Sequence, residues 1–478
     1  MIFLSFAYSA SKIGQTLNQT KVVGYYQPRA SGIQLKDMDV SKLTHLLYAF
    51  GNVLKDGSAT FSGLGSDSMD WTAWSTSKVV EPADNTCPCG TTCLKGYLNQ
   101  LWTVKRNNPS LRTVLSFGGW AWSHNFSAVF KDSTARANLI KTTTDFMTKY
   151  GFDGIDIDWE FPTNMDRTKS EPTYTADPAD FTNIGTFLQE TRAYWKAQNL
   201  PEDTILSIAM PPQLQEFTTA KSIFKVINQY ASFIMVMSYE FQHNDKINRL
   251  GAGLFAAPED TPAEKSLNVD NGIKDYNGVD PLKIVMGIPL YATGFKNFNQ
   301  NTGNRKAMKC LGDTFQGEQS GTAHSLVAVD YKTIMSTVTG NQFGYGGYQY
   351  DPIRGSSSAC NGTHFYSFDT VESVALKAKY IQDKKLGGIM MWDLSQDIGE
   401  KDDSKKSMFA SVKSAFNTPA SNDRKFEDIC LQKSDYCNLL CSYTPDQANS
   451  NQKKANTRSS AFSNSVDIVL LSLSLFLQ

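Results

Sequence analysis

The 478-residue chain carries almost no net charge: 46 basic side chains oppose 47 acidic ones, leaving -1 with histidine neutral. No one-signed field steers it toward nucleic acid or an anionic membrane, so both partner classes are set aside. A long hydrophobic run is also missing. The apolar tail Ile468 to Leu477 is too short to span a bilayer as a helix. The stretch Ile2 to Ala10 lacks the positive residues of a full signal peptide and reads as a weak or truncated leader. Histidine is scarce, and none lies near the triples Cys87, Cys89, Cys93 and Cys430, Cys437, Cys441. Since C-x-C-x3-C is not a usual zinc spacing either, structural zinc is disfavoured. No internal repeat interrupts the chain.

What is present points to an exported enzyme-sized fold. Hydrophobic residues make up 41% and aromatic residues 12%, enough for a sizeable core and for surfaces that stack on flat apolar ligands. Eight cysteines in local clusters fit an oxidising compartment, with Cys310 and Cys360 the favoured pair. The odd-numbered triples leave two arrangements open, a bridge between them or a free thiol in each. Ser459, Ser460 and Ala461, a polar spacer and the apolar tail follow the layout of a glycolipid-anchor signal. Sequons at Asn18, Asn125 and Asn361 fit a glycoprotein. A secreted or cell-surface location follows from these features taken together.

Short Val-, Ile- and aromatic-rich runs recur between polar or Gly/Pro residues, the pattern of buried parallel strands. Strands are predicted at Val22 to Tyr26, His45 to Phe50, Thr113 to Phe117, Gly154 to Glu160, Ile205 to Met210, Phe233 to Tyr239, Ile284 to Leu290 and Gly388 to Leu394. Helices are predicted at Lys95 to Arg106, Thr134 to Tyr150, Ala179 to Gln198, Ala220 to Tyr230 and Val371 to Lys385. This alternation predicts an α/β fold, a (β/α)8 barrel with catalytic residues at the strand C-termini. A pair of smaller α/β domains is the alternative. Residues 1–20 read as leader, 21–418 as the barrel domain, 419–443 as a cysteine-containing extension and 444–478 as a polar stalk with the apolar tail. Residues 291–364, between strands seven and eight, are long enough for a small α+β insertion.

The chemistry is concentrated in one stretch. Asp156, Asp158 and Glu160 alternate with Ile155, Ile157 and Trp159, so on a strand the acids share one face and the apolar side chains the other. Inside a barrel such acids cannot all be ionised, and at least one keeps a proton near neutral pH, as a general acid requires. A solvated strand face is the bland alternative, disfavoured by the half-buried row of acids it would require. The stretch lacks calcium-loop spacing and nearby His or Cys, so no metal and no cofactor is expected.

The run Asp153, Asp156, Asp158, Glu160 resembles the D-x-x-D-x-D-x-E signature of family 18 glycoside hydrolases, the chitinases and their relatives. Other strands resemble that family in order: Gly24-Tyr25-Tyr26, Thr44 to Phe50, Ser116-Phe117-Gly118-Gly119-Trp120, Met237-Ser238-Tyr239, Gly287 to Tyr291 and Gly388 to Trp392. The resemblance implies Glu160 as general acid and the substrate's own N-acetyl carbonyl as nucleophile, with Asp158 and Asp156 sharing a proton and Tyr239 bonding the acetamido oxygen. It implies Trp392 as the floor for the sugar at the cleavage point, with Tyr25, Met237, Phe50, Gly119, Trp120, Glu240 and Tyr291 lining the groove. Asp153 falls outside the two-residue alternation and is expected to brace the strand. Trp122, Trp71 and Trp74 are further aromatic candidates on loops of the same face. The implied partner is chitin or chitooligosaccharide, bound by a monomer. A chitin-binding lectin and an endo-β-N-acetylglucosaminidase are the rival readings; relatives of the lectin type usually lose the terminal Glu that this chain keeps. Pro28-Arg29, Glu240 and Ala292-Thr293 depart from the family pattern at positions expected to touch sugar.

Overall fold

Short, largely apolar runs build the molecule from strands that bury both faces. β1 (Lys21–Tyr26), β2 (His45–Val53), β4 (Arg112–Gly118), β5 (Gly154–Asp158), β6 (Ile205–Met210), β7 (Phe233–Val236), β8 (Ile284–Pro289) and β14 (Gly388–Trp392) run parallel and pair in sequence. β1 pairs with both β2 and β14, which closes the ring into a (β/α)8 barrel. A short β3 (Ala59–Thr60) folds back antiparallel on the end of β2. This computed structural model describes residues 20–28, 32–60, 96–163, 176–214, 219–241, 247–296, 308, 310–312, 327–340, 344–399 and 403–416. The leader, Asn18, Arg29, Trp71, Trp74, the Cys87 to Cys93 cluster, the cysteine-containing extension, the stalk and the tail lie outside those residues.

Two hydrophobic clusters follow from the period of two along each strand. Residues such as Val22, Leu46, Ile155, Ile157 and Ile389 face outward into a shell shared with the helices. Val23, Tyr25, Leu47, Met235, Val285 and Met390 face inward and fill the barrel. Trp159 belongs to the outer shell, 5.6 Å from Phe126 and 5.3 Å from Phe130 between ring centroids. The helices lie close to their predicted bounds, at Gly96–Asn107, Ser133–Lys149, Asp180–Ala197 and Val371–Asp383. The predicted helix at Ala220 to Tyr230 is instead a 3-10 turn, Ala220–Ile223, followed by the helix Phe224–Tyr230.

Between β8 and β14 the chain forms a second sheet. β9 (Tyr291–Lys296), β10 (Val327–Asp330), β11 (Gln349–Asp351), β12 (Ser356–Cys360) and β13 (His364–Phe368) pair antiparallel in the order β10-β9-β13-β12-β11, with a helix at Tyr331–Thr339. Cys310 and Cys360 are joined by a disulfide beside Leu250, Phe295 and Phe365. Arg354 fastens this sheet to the loop after β7: its guanidinium donates to Asp351 at 2.6 Å, to Asp260 at 2.6 Å and to Glu259 at 2.9 Å. Among the described residues no helix is long and apolar enough to cross a membrane.

Candidate active site

The acid row is assembled by register. Asp156 on β5 lies level with Ser116 on β4 and Ser207 on β6, and residues level with one another on parallel strands share a face. Both serine hydroxyls donate to the Asp156 carboxylate, at 2.7 and 2.8 Å. From across the barrel the Tyr25 hydroxyl donates to it at 2.8 Å. Burial pushes the Asp156 carboxyl up, and these three hydroxyls oppose that rise.

Asp158 stands one step nearer the barrel mouth, and its surroundings differ. It is 4% exposed, and its Oδ1 is buried without a hydrogen-bond partner. Burial drives its carboxyl well above the ordinary carboxylate range, and the charges of Glu160 and Asp156 add to the rise. A negative charge on Asp158 is therefore disfavoured while Glu160 and Asp156 carry theirs.

Glu160 was expected on the strand, yet β5 ends at Asp158. The neighbouring strand β4 ends level with it at Gly118, where the chain turns away with positive φ at Gly118 (109°) and Gly119 (70°). A Cβ on Gly119 would stand 2.6 Å from the Phe50 ring, so the turn needs glycine for space as well as for φ. With no strand left to pair with, the Glu160 amide donates instead to Ser123 Oγ at 3.0 Å. Ser123 was not singled out from the sequence. Its position shortly after Gly118-Gly119-Trp120 is the one local signal that could have marked it.

Asp153 stands apart from the row. It is buried against the Lys105 ammonium, which also donates to Thr113 Oγ1 at 2.8 Å, and it accepts the Thr113 amide at 2.8 Å. This places it at the start of β5, beneath the acids.

Aromatic side chains from three strands meet near the acids. Phe50 and Trp392 stack with centroids 5.3 Å apart, and Tyr25 meets Trp392 edge-on at 5.3 Å. Met237 and Tyr239 were predicted on a strand running to Tyr239, but β7 stops at Val236 and both lie just beyond it. Both are buried, Tyr239 6.3 Å from Tyr291 between ring centroids. The Tyr239 hydroxyl keeps its proton firmly, since burial and then the charges of Asp158, Glu160 and Glu240 push its pKa well up. Glu240, at φ 60°, accepts a hydrogen bond from Tyr291, and burial raises its carboxyl despite that bond. A pocket between barrel and second sheet is walled by Tyr239, Glu240, Tyr291 and Thr293. Trp120 and Trp122, expected on a loop, form the short helix Gly119–Trp122, with Trp120 48% exposed. Among the described residues no group of acids, His or Cys is arranged to hold a metal ion.

A family model described as glycosyl hydrolases family 18 matches residues 21–397. The chain belongs to that family. Within family 18 it is 30% identical to an endochitinase 1 of Metarhizium robertsii over 375 residues, covering 76% of this chain and 78% of the relative. It is 28% identical to chitinase A1 of Niallia circulans over 411 residues, covering 79% of this chain but only 56% of that longer protein. The catalytic domain of the psychrophilic chitinase B from Arthrobacter TAD20 superposes with a TM-score of 0.67 at 26% identity, over 86% of this chain and 98% of that one.

Proposed function

We propose that the protein is a chitinase that hydrolyses β-1,4 bonds between N-acetylglucosamine units in chitin or chitooligosaccharides with net retention. The observation that carries this reading is the unequal state of the acids. Asp156 is held by three hydroxyls, while Asp158, two residues before Glu160, has a buried oxygen lacking a partner and a carboxyl whose charge is disfavoured by burial. An acetamido N–H is the donor that suits that oxygen, which makes the substrate's own amide carbonyl the nucleophile.

Glu160, in its protonated form, gives its proton to the glycosidic oxygen as the bond from that oxygen to the anomeric carbon breaks. The leaving sugar departs as an alcohol. The acetamido carbonyl oxygen bonds to the anomeric carbon on the opposite face and forms an oxazolinium ion. Its positive charge is balanced by the carboxylates of Glu160, which has just lost its proton, and Asp156. Tyr239 stays a hydrogen-bond donor throughout and orients the carbonyl oxygen. Water then loses a proton to Glu160 and attacks the anomeric carbon, which opens the ring with overall retention. Trp392, with Phe50 and Tyr25 behind it, provides the stacking floor, and Met237, Gly119, Trp120, Glu240 and Tyr291 line the approach. Asp153 supports the strand. The Cys310–Cys360 disulfide supports action outside the cell, on a polymer too large to be taken up.

The test incubates wild type and Glu160→Gln with N-acetylglucosamine oligomers and follows the product anomer by proton NMR. β-Product from wild type is expected, with a loss of about 10²- to 10⁴-fold in the variant. Initial release of α-product, or no hydrolysis at all, would overturn the reading. Undiminished activity in Glu160→Gln would remove the acid from its assigned role.

A further inference from the structure

Glu160 sits beyond the last paired residue of β5, so the sheet itself does not fix its backbone. A general acid has to meet the glycosidic oxygen at hydrogen-bond distance, and a displacement of about 1 Å costs about 100-fold. Something outside the strand must therefore hold it. We propose that Ser123 is the positioning residue for this acid, fixing the height of Glu160 at the barrel mouth so that its proton lies on the line to the scissile oxygen. The proposal rests on the chitinase reading above and assigns a further residue to the same site.

Three observations carry it. Ser123 is fully buried, and its Oγ accepts the Glu160 amide at 3.0 Å while donating to the Gly119 carbonyl at 2.8 Å, with the Asp158 carbonyl 3.3 Å away. One hydroxyl thus joins the end of β5 to the turn that leaves β4. That turn is itself tied to β2, because the Asn125 side chain two residues on donates to the Val53 carbonyl at 2.8 Å. The far side of the Glu160 bend is gripped as well: the Thr163 amide donates to Asp180 at 3.0 Å, and Asp180 accepts Ser127 Oγ at 2.8 Å. Ser123 supplies the near grip. Gly118 pairs with Asp158, the last residue of β5, and one step further on the Ser123 hydroxyl takes over as acceptor for the Glu160 amide.

Ser123 has no part in proton transfer itself, so its loss should be felt only where proton donation limits the rate. Proton donation matters most for a sugar leaving group and little for 4-nitrophenolate, which departs as a stable anion. The experiment compares wild type, Ser123→Ala and Ser123→Thr on N-acetylglucosamine oligomers and on the 4-nitrophenyl glycoside of the N-acetylglucosamine disaccharide. For Ser123→Ala, kcat on oligomers should fall about 10- to 100-fold with KM within about twofold. On the nitrophenyl glycoside the fall should stay below about threefold. Ser123→Thr, which keeps the hydroxyl, should recover most of the oligomer rate. Equal losses on both substrates, or no loss on oligomers, would overturn the proposal while leaving the chitinase reading intact. A wild type that cleaves neither substrate would overturn both. If Ser123→Ala proves unfolded by circular dichroism, Ser123→Cys makes the same comparison with a weak hydrogen-bonding group of similar size. The same selective loss is expected there, and wild-type rates would refute the role.

Discussion

The first acid of the signature can be separated from the other three by experiment. The Asp153 side chain is 1% exposed and the Lys105 side chain 0%, so this ion pair is sealed from water below the acid row. Lys105 also reaches Thr113 Oγ1, and its ammonium stands 5.4 Å from the Trp102 ring centroid. Removing one partner of such a pair leaves a buried charge without its counter-ion, which costs about 3–5 kcal/mol. Asp153→Asn keeps an oxygen for the Thr113 amide and loses the charge, so nearly all of that cost should appear. Replacing both partners, as in Lys105→Met with Asp153→Asn, removes the stranded charge and should bring stability back to within about 2 kcal/mol of wild type. Denaturant unfolding of wild type, both single variants and the double variant completes the cycle. Oligomer hydrolysis by folded Asp153→Asn should remain within about threefold of wild type, because Asp153 does not face the groove. The reasoning fails if Asp153→Asn keeps its stability and loses about 100-fold in kcat. It also fails if the double variant is as unstable as the single one.

Three further outcomes follow from the geometry. Tyr239→Phe removes the donor for the acetamido oxygen and should lower kcat about 10²- to 10³-fold with little change in KM, read by steady-state kinetics on oligomers. Asp158→Asn should be inactive yet more stable than wild type, by a margin that widens with pH. The folded Asp158 carboxyl titrates well above 3.8, so its native form binds the proton more tightly. Wild type accordingly loses stability as pH rises from 3.8 through the folded pKa, and the neutral Asn does not; melting curves at pH 5 and pH 8 check this. Of the two sequons among the described residues, Asn125 is buried and donates to Val53, whereas Asn361 lies in the turn between β12 and β13 with Thr363 exposed. Chain secreted from a eukaryotic host should therefore lose its glycan mass at this pair of sites in Asn361→Gln, as mass spectrometry of the peptides can show.

The barrel and the acid row were legible in sequence because both rest on periods that residues carry themselves. Ile155, Ile157 and Trp159 facing outward and Asp156 and Asp158 facing inward is a property of any strand with that pattern. Strand ends were less legible, because an end is set by the neighbour. β5 stops at Asp158 since β4 turns at Gly118, and β2 runs on to Val53, where β3 pairs with it. Partners distant in sequence were hidden for the same reason. Nothing near Asp153 announces Lys105, and nothing near Glu160 announces Ser123. Glu240 was marked as a departure from the family pattern, but its hydrogen bond from Tyr291 depends on how the second sheet meets the barrel.

The inner and outer hydrophobic clusters carry a consequence for how such a chain can change over time. The outward set holds the helices, and the inward set surrounds the acids. Alternate positions of one strand therefore answer to different selective pressures. Adaptation to heat or cold can proceed through the outward residues, while a new glycan preference is reached through the inward ones and the loops at the mouth. Phe161, which packs against both clusters directly after Glu160, is where the two kinds of adaptation meet.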